Sequence, residues 1–199
     1  MIPAPDRLLR FDPDALGLKA APRAFFRRET ITVAKDLVGA WFARRWRGVW
    51  YGGRIVETEA YLGEKDAAAH SRNGRRTPRV EPMYGDGGTL YVFFVYGMHY
   101  CANVVTRRSG DPQAVLLRAA EGPEGAPSRL LSGPARLCAA LGERPGSRPR
   151  RPFSNLSRRG SAPGDRRLAQ DRGGLRRRSG RLAAAVLRPR LSRGLEEKV

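Results

Sequence analysis

The residues of this chain best suited to chemistry lie between Gly53 and Arg118. Two carboxylates, Glu57 and Glu59, are spaced by two in Gly53-Arg54-Ile55-Val56-Glu57-Thr58-Glu59-Ala60-Tyr61-Leu62-Gly63. Read as a strand, this stretch alternates its side chains, so Ile55, Glu57, Glu59 and Tyr61 are expected on one face. A carboxylate set between apolar groups holds a proton more readily and can act as a base near neutral pH. The plainer reading leaves both glutamates facing water on an edge strand. Asp66 and His70 in the following loop favour a site. His70 is one of two histidines, with His99. A histidine with no Cys or His at ligand spacing makes no zinc site by itself, so no metal and no cofactor are expected. Gly85-Asp86-Gly87-Gly88-Thr89 lacks the Lys-Ser/Thr ending of a phosphate-binding loop and precedes a strand, so it reads as a turn. Tyr96, beside Gly97 and between two apolar runs, is either ordinary packing or a ring at a narrow tip that can enter a minor groove and unstack a base step. Arg72, Arg75, Arg76 and Arg79 could hold phosphates, or could be a solvated run of charge.

Several elements must position these groups. Thr30 is expected to cap a helix over Ile31–Leu37, closed by Gly39. Gly39–Ala43 reads as a strand entering a basic turn, and Gly52 or Gly53 to Tyr61 as the next. Leu62–Gly88, full of Gly, Pro and Arg, is a connection long enough to be functional. Thr89–Tyr96, Tyr100–Thr106 and Ala114–Ala120 follow as strands, the last two joined at Ser109-Gly110-Asp111-Pro112. Ser132-Gly133-Pro134 opens a helix to about Leu141, with Pro134 in the first turn, where its missing N–H costs little.

Composition bounds the partner. The chain has 199 residues and a formal charge of +19, carried by 34 Arg and 4 Lys. Such an excess favours a polyanion, either nucleic acid or an acidic membrane surface. Cys101 and Cys138 stand in apolar runs and suit reduced core positions. No apolar run is long enough to span a bilayer, and the first residues lack the pattern of a secretion signal. The expectation is a cytoplasmic protein, nucleoid-associated if bacterial. Charge is uneven: residues 1–142 carry +7, residues 143–199 carry +12. The latter have one aromatic, Phe153, and no Ile, Met or Thr. That composition cannot offset its own ordering entropy, so 143–199 is expected to be unstructured apart from a short helix near Leu182–Leu187.

Gly53–Gly63, Ala69-His70-Ser71-Arg72, Thr77-Pro78-Arg79, Gly88–Met98, Cys101 to Asn103, Val115–Ala119 and Ser132-Gly133-Pro134 with Leu137-Cys138 together resemble the alkyladenine (3-methyladenine) DNA glycosylase family over about residues 25–142. The resemblance implies an α+β fold: a single mixed domain around a curved antiparallel β-sheet with a protruding β-hairpin. It implies a monofunctional glycosylase, most simply a monomer, that flips alkylated or deaminated purines out of double-stranded DNA in base excision repair, without a metal. Glu59 matches the family's general base. Arg118 matches an arginine that helps hold the attacking water. Tyr61 and His70 match residues enclosing the flipped base, and Asn103 one that excludes the amino group of normal guanine. Tyr96 matches the intercalating tyrosine. Phe93 stands where many members have a tyrosine, so the stacking ring is kept and its hydroxyl is lost.

The likeness ends near Leu141-Gly142. Family members continue there with Gly-, Trp- and Phe-rich strands, whereas this chain turns to Arg, Pro, Gly, Ser and Ala. The expected division is therefore a catalytic domain over 1–142, incomplete at its C-terminal end, and a tail over 143–199. The tail is read as an out-of-frame stretch of a GC-rich gene, or else as a basic segment that grips DNA. Two alternatives to an active glycosylase remain at this stage: a non-catalytic nucleic-acid binder and an inactive, truncated or frameshifted glycosylase. A sugar hydrolase using the Glu57/Glu59 pair would leave the arginine loop and Tyr96 without a role.

Overall fold

Period-two apolar patterning from Trp41 onward produces strands, and one sheet organises the protein. The computed structural model describes residues 3–145. Within them the strands are β1 (Arg10–Phe11), β2 (Trp41–Trp46), β3 (Val49–Tyr61), β4 (Leu90–Val95), β5 (His99–Thr106) and β6 (Gln113–Glu121). The helices are α1 (Arg23–Phe26), α2 (Thr30–Leu37) and α3 (Pro134–Leu141). The sheet runs β1-β3-β6-β5-β4, with β2 along the other edge of β3. All its pairings are antiparallel, which gives the expected α+β class. The 13 residues of β3 reach far enough to take β2 on one edge and β1, then β6, on the other.

The two sheet faces are covered differently. On one, Val33 and Leu37 of α2 and Leu137 and Leu141 of α3 pack against Ile55, Ala60, Val92, Ala102, Val104, Val115 and Leu117. On the other, Val80, Met83 and Tyr84 from the connection between β3 and β4 pack on Tyr91, Val105 and Ala114. That connection carries three short 3-10 turns, Gly63–Lys65, Arg72–Gly74 and Glu81–Tyr84. It is tied to the sheet rather than hanging from it. The turn reading of Gly85–Thr89 holds: Asp86 accepts from Nε and Nη2 of Arg27 at 3.0 and 2.7 Å. Gly87 is squeezed against backbone there; a Cβ would lie 2.8 Å from Arg107 O.

Three expectations about elements are corrected. Thr30 does not cap α2. Its side chain is buried, where its hydroxyl meets Thr106 Oγ1 at 2.8 Å and Gln113 Oε1 at 2.6 Å. Glu29 caps instead, its two oxygens accepting the N–H groups of Ile31 (3.0 Å) and Thr32 (2.7 Å). β3 starts at Val49, not at Gly52 or Gly53, because β2 pairs with it down to Trp46–Val49. Arg47 and Gly48 make that tight turn with φ of 46° and 86°, the left-handed pair that matches strand twist. The third correction, the face taken by Ile55, belongs to the site.

At its end α3 closes on Gly142 (φ 66°), and Arg44 Nη1 donates to the carbonyls of Leu141 (2.6 Å) and Gly142 (2.7 Å). The Glu143 N–H then donates to Cys138 O at 2.8 Å, and the Arg144 guanidinium lies 4.3 Å from the Tyr100 ring centroid. The helix anticipated near Leu182–Leu187, and the rest of the tail from 146, lie outside the described residues. Both cysteines are free and buried. No helix among the described residues is long and apolar enough to cross a membrane.

Candidate active site

Alternation along β3 holds from Glu57 to Tyr61 and fails just before it. Ile55 is fully buried on the helix-covered face, as are Thr58 and Ala60, at 1% and 4% exposure. Two register shifts, between Ile55 and Glu57 and between Glu57 and Thr58, account for this. Ile55 pairs Ala120 and Thr58 pairs Leu117 in one register, and the pair Glu57–Ala119 between them is one residue out of it. The irregularity turns Ile55 inward and leaves Glu57, Glu59 and Tyr61 on the opposite face, with Arg118 of β6. The apolar companion expected for the glutamates is therefore replaced by a guanidinium. Arg118 Nε donates to Glu57 Oε1 at 3.0 Å and Nη1 to Glu59 Oε2 at 2.7 Å.

All three groups are partly shielded, their side chains 19–34% exposed. The Arg118 pKa is raised: burial opposes its charge, but the hydrogen bonds to Glu59 and Glu57 outweigh that. Burial pushes the Tyr61 hydroxyl up to about 12, and the adjacent Glu59 carboxylate adds to the shift. Tyr61 thus stays a neutral phenol beside an acceptor-only carboxylate.

A second cluster stands on β4 and the connection before it. His70 Nδ1 is 3.0 Å from Tyr91 Oη. The imidazole meets Phe93 edge-on, centroids 4.4 Å apart at 85°. Tyr91 and Phe93, two residues apart on one strand, share this face with centroids 5.4 Å apart. Burial lowers the His70 pKa, and the Arg79 and Arg75 charges lower it further, so near neutral pH the ring is uncharged. Burial also pushes the Tyr91 hydroxyl up to about 12. Tyr91 is the residue that sequence reasoning left out; its i, i+2 relation to Phe93 was the signal that could have found it.

One row of the sheet joins the clusters. Glu59 pairs Leu116, Leu116 pairs Asn103, and Asn103 pairs Tyr91. Directly paired residues of antiparallel strands present their side chains on one face. The ends of this row stand three strand spacings apart, about 14 Å at about 4.8 Å per strand. Between them, on the same face, lie the shorter side chains of Leu116, Cys101 and Asn103. Asn103 is 2% exposed and its Nδ2 donates to Tyr91 O at 3.3 Å. Acid and guanidinium thus stand at one end of this row and rings at the other.

The remaining predicted residues surround this row unevenly. Tyr96 tips the β4–β5 hairpin with 86% of its surface exposed. Its φ is 52° and that of Gly97 is 70°. The Met98 N–H closes the turn onto Val95 O at 3.3 Å. Arg72 and Arg75 are exposed. Arg76 is forked onto Glu81, at 2.8 and 2.6 Å. Arg79 Nη2 donates to Phe94 O at 2.7 Å, its guanidinium 5.8 Å from the Phe93 centroid. Two of the four arginines are thus committed within the protein. Among the described residues no group of three or more His, Cys, Asp or Glu could hold a metal ion.

A carboxylate held by a guanidinium, across from a cluster of rings on a basic protein, suits hydrolysis at a carbon bearing a flat leaving group. Comparison with known proteins agrees. The sequence model of methylpurine-DNA glycosylase (MPG) matches residues 24–149. A protein of Desulfitobacterium hafniense is 49% identical over 143 residues, covering 62% of this chain and 70% of its own length. One of Clostridium acetobutylicum is 41% identical over 138 residues, covering 60% of this chain and 67% of its own. One of Myxococcus xanthus is 49% identical over 122 residues, covering 61% and 62%. Each of the three bears the name "Putative 3-methyladenine DNA glycosylase". By its fold, the order of its motifs and this match, the chain belongs to the methylpurine-DNA glycosylase family.

Proposed function

We propose that this DNA glycosylase excises alkylated or deaminated purines from double-stranded DNA as a monomer, everting the base and hydrolysing its N-glycosidic bond without cutting the strand. The observation that carries the reading is the row Glu59–Leu116–Asn103–Tyr91, with a paired carboxylate at one end and rings at the other. In this reading a planar two-ring base lies between the two ends, over Leu116, Asn103 and Cys101.

In this reading Glu59 is the general base. It takes a proton from a water directed at C1′ while its charge stabilises the oxocarbenium-like transition state, as one carboxylate does in an inverting glycosidase. Arg118 holds that carboxylate and the water. Alkylation at N3 or N7 makes the purine cationic, a good leaving group that electron-rich rings attract. Phe93, Tyr61 and His70 enclose it. The neutral His70 contributes a hydrogen-bonding nitrogen without repelling a cationic base. Asn103 narrows the floor against the amino group of guanine. Tyr96 fills the gap left in the duplex, offsetting part of the few kcal/mol that unstacking costs. Arg72, Arg75, Arg76 and Arg79 form the basic rim, with Arg72 and Arg75 the readiest to take phosphates. Residues 1–142 are the catalytic unit, and in a bacterium the enzyme works on the nucleoid.

The test is base release. The full chain is incubated with a duplex carrying one hypoxanthine or one alkylated adenine, then with alkali to cut abasic sites. Wild type is expected to yield cut strands, and Glu59→Gln to be slower by about 10²–10⁴-fold, the range of a lost general base. Tight binding with no release by wild type would mark a non-catalytic binder. Equal rates for wild type and Glu59→Gln would remove Glu59 as the base.

A further inference from the structure

Glu57 has no part in the reaction just described, yet the backbone is shaped around it. Between Ile55 and Thr58 on β3, and between Leu117 and Ala120 on β6, the ladder slips by one residue and slips back, through the out-of-register pair Glu57–Ala119. Glu57 and Arg118 belong to those two irregular segments. Their side chains leave the sheet on the same face and meet at 3.0 Å. Glu57 is also the most shielded of the three charged groups, its side chain 19% exposed against 23% for Glu59 and 34% for Arg118.

The atoms used by Arg118 give this contact a purpose. The guanidinium touches Glu59 through Nη1 alone. One hydrogen bond from a terminal nitrogen leaves the plane of the group free to swing. A second bond from Nε, on a different edge of the fork, fixes that plane. Glu57 also shares the positive charge, so Arg118 can orient Glu59 without committing its whole charge to it.

We infer that Glu57 is a positioning residue: by holding Nε of Arg118 it fixes the plane that presents Nη1 to Glu59, and so aims the carboxylate. This rests on Glu59 being the base. Glu57 itself touches neither DNA nor water in the reaction. Removing it lets the guanidinium turn and the base drift, and misplacement by about 1 Å can cost about 10²-fold in rate.

Three readouts on the full chain test this. The first is the single-turnover rate of purine release from the damaged duplex, the second the affinity for that duplex, and the third the ¹H–¹⁵N signal of Arg118 Nε–H. Glu57→Ala is expected to slow release by about 30–100-fold with duplex affinity within about 2-fold of wild type, and to expose the Nε–H to fast solvent exchange. Glu57→Gln keeps an acceptor of the same reach and should recover most of the rate and a protected Nε–H. Wild-type rates in both variants would overturn the inference, as would a loss confined to duplex affinity. If wild type itself releases no base, the reading of Glu59 fails, and the Nε–H signal still decides: a protected signal in Glu57→Ala overturns the role given to Glu57.

Discussion

At the scale of single residues, the site depends on charges that are compensated and on one ring that is kept neutral. The carboxylates share a guanidinium, so neither stands as an unpaired charge away from water. His70 is different: burial, then the Arg79 and Arg75 charges, hold its pKa below the usual value. A histidine whose folded pKa lies below its unfolded one binds fewer protons folded than unfolded near and below about pH 6.5. Stability therefore falls as pH drops through the unfolded pKa toward the folded one. In His70→Gln that contribution is absent. The expected outcome is a melting temperature for wild type that falls more steeply between about pH 6.5 and 5 than that of the variant. Parallel curves over that range would contradict the shift. The Asp86 carboxylate, held below its usual range by the hydrogen bonds from Arg27, shifts stability in the same direction, but its contribution is lost only in stronger acid.

At the scale of elements, the sequence revealed what depends on alternation and turn chemistry and hid what depends on exceptions to them. β4, β5, β6 and α3 were legible within a residue or two. Their apolar runs are bounded by Gly97, by Ser109–Pro112 and by Gly133-Pro134. The double irregularity between β3 and β6 was not legible, because nothing in Ile55-Val56-Glu57 marks an out-of-register pair; only the partner strand does. For the same reason Glu57, Glu59 and Tyr61 were assigned a common face correctly and Ile55 wrongly. The α2 cap was missed because Thr is the commoner cap, while the tertiary bonds of Thr30 to Thr106 and Gln113 claim its hydroxyl. The hairpin tip carries a conflict of its own. Tyr96 holds a left-handed φ of 52°, which an L side chain adopts at a cost of roughly 1–2 kcal/mol, and with 86% of its surface exposed it gains little packing in return. Such strain is tolerated where a side chain serves a purpose beyond stability. Tyr96→Gly should therefore raise stability by roughly 0.5–1 kcal/mol in denaturant unfolding, while lowering purine release from duplex DNA. A variant that is less stable, or as active as wild type, would show that the ring packs rather than probes.

At the scale of the whole molecule, charge decides how the enzyme meets DNA, and it is spread over two unequal reserves. Residues 1–142 carry +7 and residues 143–199 carry +12, so most of the net charge stands outside the residues that hold the candidate site. The arginines of the connection between β3 and β4 are not equivalent members of that reserve. Arg76 is forked onto Glu81, and the pair as a unit carries no net charge, whereas Arg72 and Arg75 are exposed on the same connection. Each phosphate neutralised contributes about −0.9 to the slope of log affinity against log salt on duplex DNA. Replacing both Arg72 and Arg75 by Ser is expected to make that slope shallower by about 1–2, whereas Arg76→Ser, which leaves Glu81 as a bare acid, should weaken binding with a smaller change in slope. Equilibrium binding of the full chain to an undamaged duplex, measured across a salt series, distinguishes these. If Arg72 and Arg75 can be replaced with no change in slope, the rim does not touch the backbone. The attraction would then have to come from the more basic C-terminal part.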